Sequence, residues 1–200
     1  MLYEIEPRNN PTQELCAFWE NFLTEEDINW ILSRPEWLAT KTAEVGGQTG
    51  IGQVDSSIRK SDISWLNPNQ ETDFIWKKIT YAVASVNKQF FNFDLKGCYE
   101  PIQMGIYREN DQGKYDWHTD SGMRDMAVPR KLSMSLLLTE PSEFEGGDLQ
   151  VKLNSDEVVT LEQKRGRAWF FPSFVLHRVT PVTKGIRRSL VLWVGGPPFK

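Results

Sequence analysis

The chain holds only two histidines, His118 and His177, so any histidine-dependent chemistry must use one or both. His118 stands two residues before a carboxylate in Tyr115-Asp-Trp-His-Thr-Asp120. On an extended segment residues i and i+2 project from the same face, which brings the His118 imidazole and the Asp120 carboxylate together. His177 follows the apolar run Trp169-Phe-Phe-Pro-Ser-Phe-Val-Leu176. Two imidazoles and one carboxylate can hold a divalent metal and leave coordination positions open. Those donors suit iron(II) oxidation chemistry and zinc-assisted hydrolysis alike. A non-enzymatic β-roll that holds a metal or ligand is a third reading.

The segment Gly185-Ile-Arg-Arg-Ser-Leu-Val-Leu-Trp193 reads as a strand. Its alternation puts Arg187, Ser189, Val191 and Trp193 on one face and Arg188, Leu190, Leu192 and Val194 on the other. Arg187 beside Ser189 forms a clamp for a carboxylate, with charge-assisted bonds from the guanidinium and one from the hydroxyl. A dicarboxylate co-substrate satisfies such a clamp. The alternative is that Arg187 and Arg188 are both solvated at a strand start.

The elements that must position these residues fall into two stretches. Leu15, Phe18, Trp19, Phe22 and Leu23 recur at helical spacing, and Thr24 with Glu25, Glu26 and Asp27 reads as the start of a second helix that Pro35 interrupts. A longer helical pattern runs from about Thr72 to Phe91. Between them, residues 40–62 contain Gly46, Gly47, Gly50 and Gly52 but no Gly-Lys-Ser/Thr, which argues against a phosphate loop and for a hairpin or loop of the kind that covers active sites. From residue 100 onward short β-type segments alternate with turns: Ile102–Tyr107, Leu132–Leu138, Leu149–Leu153, Val158–Leu161, Ala168–Phe171 and Ser189–Val194. Turns are expected at Gly113, Gly146-Gly147, Asn154-Ser-Asp156, Gly166 and Gly185. Strands after helices predict a mainly β sandwich or barrel with helices packed outside.

At 200 residues with 40% hydrophobic and 25% charged content the chain has the composition of one globular domain able to bury a core. No apolar run reaches the length of a membrane-spanning helix, and the start lacks the pattern of a signal peptide. A net charge of −4 argues against nucleic acid, although Lys164-Arg-Gly-Arg167 and Arg124 offer a local basic surface. Cys16 and Cys98 fit neither a disulfide framework nor a thiolate zinc site and are expected to be buried apolar residues. A reducing, cytoplasmic location is expected.

The ordered set Gln-Met-Gly-Ile-Tyr107, Tyr115-x-x-His-x-Asp120, Leu-Ser-Met-Ser-Leu136, Glu-Gly-Gly-Asp-Leu149, Phe-Phe-Pro-Ser173, His177 and Val-Thr-Lys-Gly-Ile-Arg187-x-Ser189 resembles the Fe(II)- and 2-oxoglutarate-dependent dioxygenases, specifically the prolyl 4-hydroxylase-like group. The resemblance implies a double-stranded β-helix, the jelly-roll or cupin-like core with flanking helices. It also implies a single domain over 1–200, in which 1–95 supply helical support and a substrate loop and 96–200 the catalytic β core. By the same resemblance His118, Asp120 and His177 hold Fe(II), and Arg187 with Ser189 binds the remote carboxylate of 2-oxoglutarate. Tyr107 and Tyr115 lie near the co-substrate, and Trp193 near the substrate. On a regular strand Tyr115 would face away from His118, so its role requires a bend or bulge. Asp148 is given no catalytic role. The implied reaction couples decarboxylation of 2-oxoglutarate to succinate and CO2 with O2-dependent hydroxylation, and ascorbate can accompany it. A prolyl residue in a peptide or protein is the leading substrate. A free amino acid, another small molecule, or an alkylated nucleic acid is the alternative.

Overall fold

A computed structural model describes residues 15–46, 52–121, 128–152 and 157–198. Two helices, α1 (Glu25–Leu32) and α2 (Asp73–Val86), accompany fifteen strands among the described residues. The strands of the N-terminal part are β1 (Ala17–Trp19), β2 (Lys41–Thr42), β3 (Val45–Gly46), β4 (Gly52–Gln53), β5 (Arg59–Lys60) and β6 (Asp62–Leu66). After α2 come β7 (Ile102–Arg108), β8 (Lys114–His118), β9 (Arg130–Leu137), β10 (Phe144–Gly146) and β11 (Leu149–Lys152). The chain closes with β12 (Val158–Thr160), β13 (Ala168–Pro172), β14 (His177–Val179) and β15 (Val182–Gly195).

The strands form a major sheet in the order β1-β13-β9-β15-β7-β6-β2, with β10 also on β15, and a minor sheet in the order β12-β11-β14-β8-β5. All of their pairings are antiparallel. Strand alternation sorts the residues of the major sheet into two layers. Met104, Leu132, Met134, Leu136, Phe170, Leu190 and Leu192 face the helices and pack with Ile28, Ile31, Ile75 and Ile79 in one apolar core. The opposite face looks into the roll between the sheets, where Tyr107, Leu149, Val151, Phe171, Val175 and Val179 make a second, smaller core. The architecture is a double-stranded β-helix with helices buttressing the major sheet.

Helix α1 begins where its sequence predicts. Asp27 N–H donates to Thr24 Oγ1 at 3.2 Å and Thr24 N–H donates to Asp27 Oδ2 at 2.7 Å, a reciprocal cap. Asp27 also accepts from Lys78 Nζ of α2 at 2.5 Å, which ties the two helices together. The helical pattern over 72–91 is α-helical only to Val86. A π-helical turn over Asn87–Phe91 follows, ended by Asn92 at a φ of 51°. The helix expected at 15–23 is not formed. Ala17–Trp19 instead pairs with the edge of β13, with Ala17 opposite Phe170 and Trp19 opposite Ala168. Phe18 turns outward onto the Trp169 ring with centroids 5.1 Å apart. Ladder bonds to a preformed sheet edge outweigh a local apolar spacing that only a longer helix would exploit.

The glycine-containing stretch over 40–62 includes a β3–β4 hairpin whose tip, 47–51, lies outside the described residues, as do Asn154-Ser-Asp156 and Arg124. The basic run 164–167 is neutralised locally. Lys164 and Arg167 pair with Glu20, and Arg165 pairs with Glu25. Cys16 and Cys98 are not joined in a disulfide and are half-buried, not fully buried as expected; burial pushes the Cys98 thiol up to about 11, which keeps it protonated. Among the described residues no helix is long and apolar enough to cross a membrane.

Candidate active site

His118 ends β8 and His177 starts β14, and these two residues are direct cross-strand partners. The register then shifts: the next aligned pair is Val179 with Tyr115, two steps along β14 against three along β8. The extra residue is a bulge of the kind that the placement of Tyr115 requires. It swings Tyr115 back so that its ring stacks on His118, centroids 3.4 Å apart and planes 13° from parallel.

Both imidazoles are fixed through the nitrogen nearer the backbone. His118 Nδ1 lies 2.7 Å from the Asp116 carbonyl and His177 Nδ1 lies 2.9 Å from the Val175 carbonyl. A carbonyl only accepts, so each Nδ1 carries a proton, and in the neutral ring each Nε2 then presents a lone pair. The two Nε2 atoms face the Asp120 carboxylate, His118 at 3.7 Å and His177 at 3.5 Å. One donor atom from each of the three residues falls within 4.8 Å of the others, a set able to hold one metal ion. Asp120 is anchored by its own N–H, which donates to the Ser173 carbonyl at 2.8 Å.

Burial pushes His118 down to about 3, with the neighbouring His177 adding to the effect, so the ring is neutral at physiological pH. Burial works against the Asp120 charge, but the neighbouring His177 and His118 hold its carboxyl below the usual range. Two neutral imidazoles and one carboxylate leave a divalent metal with residual positive charge, which favours a further anionic ligand.

Arg187, Ser189, Val191 and Trp193 project together from β15 into the roll and line a small cavity with the three donors. Arg187 is 2% exposed. It donates from Nη1 to Ser189 Oγ at 3.0 Å and lies 5.4 Å from the centre of the Tyr107 ring. Its Nε has no partner among the described residues. A buried guanidinium with an unsatisfied donor is unfavourable unless a ligand completes it. The unused N–H therefore fits an incoming carboxylate. Gly147 leaves room for this arginine: it sits at a φ of +62°, and a Cβ there would lie 2.8 Å from Arg187 Cδ. Arg188 is half-buried on the other face, as the alternation predicts. Asp148 engages Gln163 and Thr180 and does not reach the donor set.

A wider cleft of about 600 Å³ opens outside the donors, with Trp65, Trp117, Arg130 and Trp193 among its walls. Arg130 lies 3.7 Å over the Trp193 ring and is closed by a two-pronged pair with Glu100. Arg130, Gln103 and Arg59 also line this region, and the motifs of the sequence assign them no role. Gln103 alternates with Ile102, Met104 and Ile106, and that lone polar position on an apolar strand is the signal that could have found it.

A profile of the 2OG-Fe(II) oxygenase superfamily matches residues 102–195, the span that contains the donor set, Tyr107, Tyr115, Arg187 and Trp193. These residues belong to the 2OG-Fe(II) oxygenase superfamily. The oxygenase is 29% identical over 178 residues to a PKHD-type hydroxylase of Teredinibacter turnerae, which covers 82% of this chain and 69% of that one. Further PKHD-type hydroxylases match over only 40% of their own length. Its fold is shared with a Pseudomonas putida prolyl-4-hydroxylase, at a TM-score of 0.69, 21% identity and coverage of 90% of this chain and 92% of that one. It is also shared with a Trichoplax adhaerens prolyl hydroxylase solved with a hypoxia inducible factor peptide fragment, at a TM-score of 0.73, 17% identity and coverage of 90% and 83%. The oxygenase is thus of the 2-oxoglutarate-dependent dioxygenase class.

Proposed function

We propose that the whole chain acts as one catalytic unit that hydroxylates an unactivated carbon, most plainly that of a prolyl residue in a peptide or protein. In this reading His118, Asp120 and His177 hold Fe(II). Arg187 and Ser189 take the distal carboxylate of 2-oxoglutarate, Tyr107 and Tyr115 flank it, and Trp193 faces the substrate. The observation that carries the reading is the shared inner face: three converging metal donors and a buried arginine with an unused N–H line one cavity.

Bound there, Fe(II) and 2-oxoglutarate supply O2 activation, with 2-oxoglutarate leaving as succinate and CO2 as a substrate C–H becomes C–OH. The chain's own residues position and shield. Nδ1 bonds fix both imidazoles in the metal-binding tautomer, and the Ser189 hydroxyl holds Arg187 in line with the cavity. The β3–β4 hairpin, whose Val45 borders the cleft, excludes water from the reacting carbon. A peptide substrate is supported by the prolyl hydroxylases that share this fold, one of them solved with a peptide. A reducing cytoplasm and ascorbate as an accessory reductant belong to the same reading.

The test is anaerobic addition of Fe(II) and 2-oxoglutarate, monitored for a visible metal-to-ligand charge-transfer band, followed by O2 and a succinate assay over proline-containing peptides. A band with peptide-stimulated succinate is expected. Zinc-dependent hydrolysis without O2 consumption would overturn the reading.

A further inference from the structure

Arg59 is a second buried cation of the cavity, contributed by β5 outside the superfamily span. It is 6% exposed. Its Nε donates to Ser61 Oγ and its Nη2 to Gln103 Oε1, each at 2.8 Å. The guanidinium carbon lies 4.4 Å from the centre of the Tyr115 ring. Because His118 covers one face of that ring, Arg59 occupies the other, and Tyr115 separates the cation from the metal donors.

Both hydrogen-bond partners of Arg59 are neutral, and it makes no ion pair among the described residues. The other arginines of the region are accounted for. Arg130 is closed by Glu100 and Arg108 by Asp62, while Arg187 has the distal carboxylate of 2-oxoglutarate under the proposed function. A guanidinium this little exposed is unfavourable without an anion beside it, and an amide oxygen and a hydroxyl supply none. Arg59 also fronts the inner cavity with Arg187, the outer cleft that opens onto the donors, and a third space beside Asp62 and Arg108 that does not include the donors. An anion that satisfies it can arrive from the cleft while 2-oxoglutarate occupies the inner end.

We infer that Arg59 is a specificity-determining residue that binds a carboxylate carried by the prime substrate close to the carbon that is oxidised. The inference rests on the proposed function and narrows its substrate class. The carboxylate has two sources, the α-carboxylate of a free or C-terminal amino acid and the side chain of an acidic residue flanking the target.

The test is a binding titration on protein loaded with Ni(II) and 2-oxoglutarate, which reads affinity without turnover. Two probe pairs separate the sources: N-acetyl-L-proline against N-acetyl-L-prolinamide, and the capped dipeptides acetyl-Asp-Pro-amide against acetyl-Asn-Pro-amide. The carboxylate member of one pair is expected to bind about tenfold or more tightly, and the pair that discriminates names the source. Arg59→Gln removes that preference and Arg59→Lys restores part of it. Gln103→Glu places a carboxylate within reach of the guanidinium and removes the preference with Arg59 still present, so the test survives if Arg59→Gln does not fold. Affinity for 2-oxoglutarate is retained in all three variants.

Absence of any preference in the unaltered protein overturns the inference, as does a preference that survives both Arg59→Gln and Gln103→Glu. Loss of 2-oxoglutarate binding in Arg59→Gln assigns the residue to the co-substrate and also overturns it. If the unaltered protein takes up neither Ni(II) nor 2-oxoglutarate, the oxygenase reading fails by that measurement alone. The probe pairs on metal-free protein then decide the carboxylate preference separately.

Discussion

Tyr115 is stacked between two cationic or metal-directed groups, with the His118 imidazole 3.4 Å from its ring centre and the Arg59 guanidinium carbon at 4.4 Å. The contact exists because β8 carries one more residue than β14 between their aligned pairs. A single inserted residue thus decides whether an aromatic wall stands behind a metal donor. Tyr115→Phe keeps that wall, and Tyr115→Ala leaves a void beside a buried ring. The alanine variant is expected to lose about 10- to 100-fold in metal affinity, by analogy with the removal of groups that orient ligands, and the phenylalanine variant far less. Competitive titration with Co(II) reads both.

Replacing His118, Asp120 or His177 by alanine is expected to abolish metal uptake and peptide-dependent succinate formation together. Arg187→Ala separates the two. It retains metal and weakens 2-oxoglutarate by about 10- to 100-fold, the worth of charge-assisted hydrogen bonds in a buried site. Arg188→Ala, on the opposite face of β15, leaves that affinity in place. Metal analysis and co-substrate titration of the five variants check the assignment. If Arg188→Ala carried the loss, the orientation of β15 would have to be reversed.

The low His118 pKa has a consequence for the metal-free protein. Above the ordinary histidine value of 6.5 the ring is neutral both folded and unfolded, and it contributes no pH dependence. Between 6.5 and about 3 the unfolded chain binds a proton that the folded chain refuses, so stability falls as pH falls. The slope from this residue is at most about 1.4 kcal/mol per pH unit. The melting temperature of the apoprotein is expected to drop from pH 7 to pH 5, and His118→Gln to flatten that drop.

Gly147→Ala tests the far end of the cavity. A side chain at a φ of +62° is strained, and here its Cβ would also press on Arg187 Cδ. A destabilisation of about 1–3 kcal/mol is expected, with weakened 2-oxoglutarate binding at unchanged metal affinity. Chemical denaturation and co-substrate titration measure the two effects. A stability loss without any change in 2-oxoglutarate affinity would show that the arginine tolerates the displacement.

The sequence makes the site far more legible than the elements around it. The scarcity of histidine, the His118–Asp120 spacing and the β15 alternation single out residues that the fold brings to one cavity. What misleads is the meaning of alternation. On β7, β9 and β15 the polar positions Gln103, Ser133, Ser135 and Ser189 resemble a water-facing side, yet they are buried inside the roll while the apolar positions serve the helices. The stretch 15–23 has helical spacing yet forms a strand at 17–19, because β13 offers it an edge. Arg59 was hidden in a polar segment that looks like loop, and its burial depends on β5 pairing with β8, with Arg59 opposite Tyr115. Pairings between distant segments leave no local trace.

Strand β15 carries Arg187 near its middle and Trp193 near its C-terminal end, bound on its two sides by β7 and β9. At about 3.3 Å per residue the pleat sets these two side chains roughly 20 Å apart along one face. The strand behaves as a ruler. One inserted residue between them would turn one of the pair out of the roll, and two would restore the facing but lengthen the reach by about 7 Å. Under the proposed function, the separation between the anchor of the co-substrate and the wall that meets the substrate is therefore quantised by backbone geometry. On that reading a new substrate is accommodated by exchanging side chains at the Trp193 end, not by changing its spacing from Arg187.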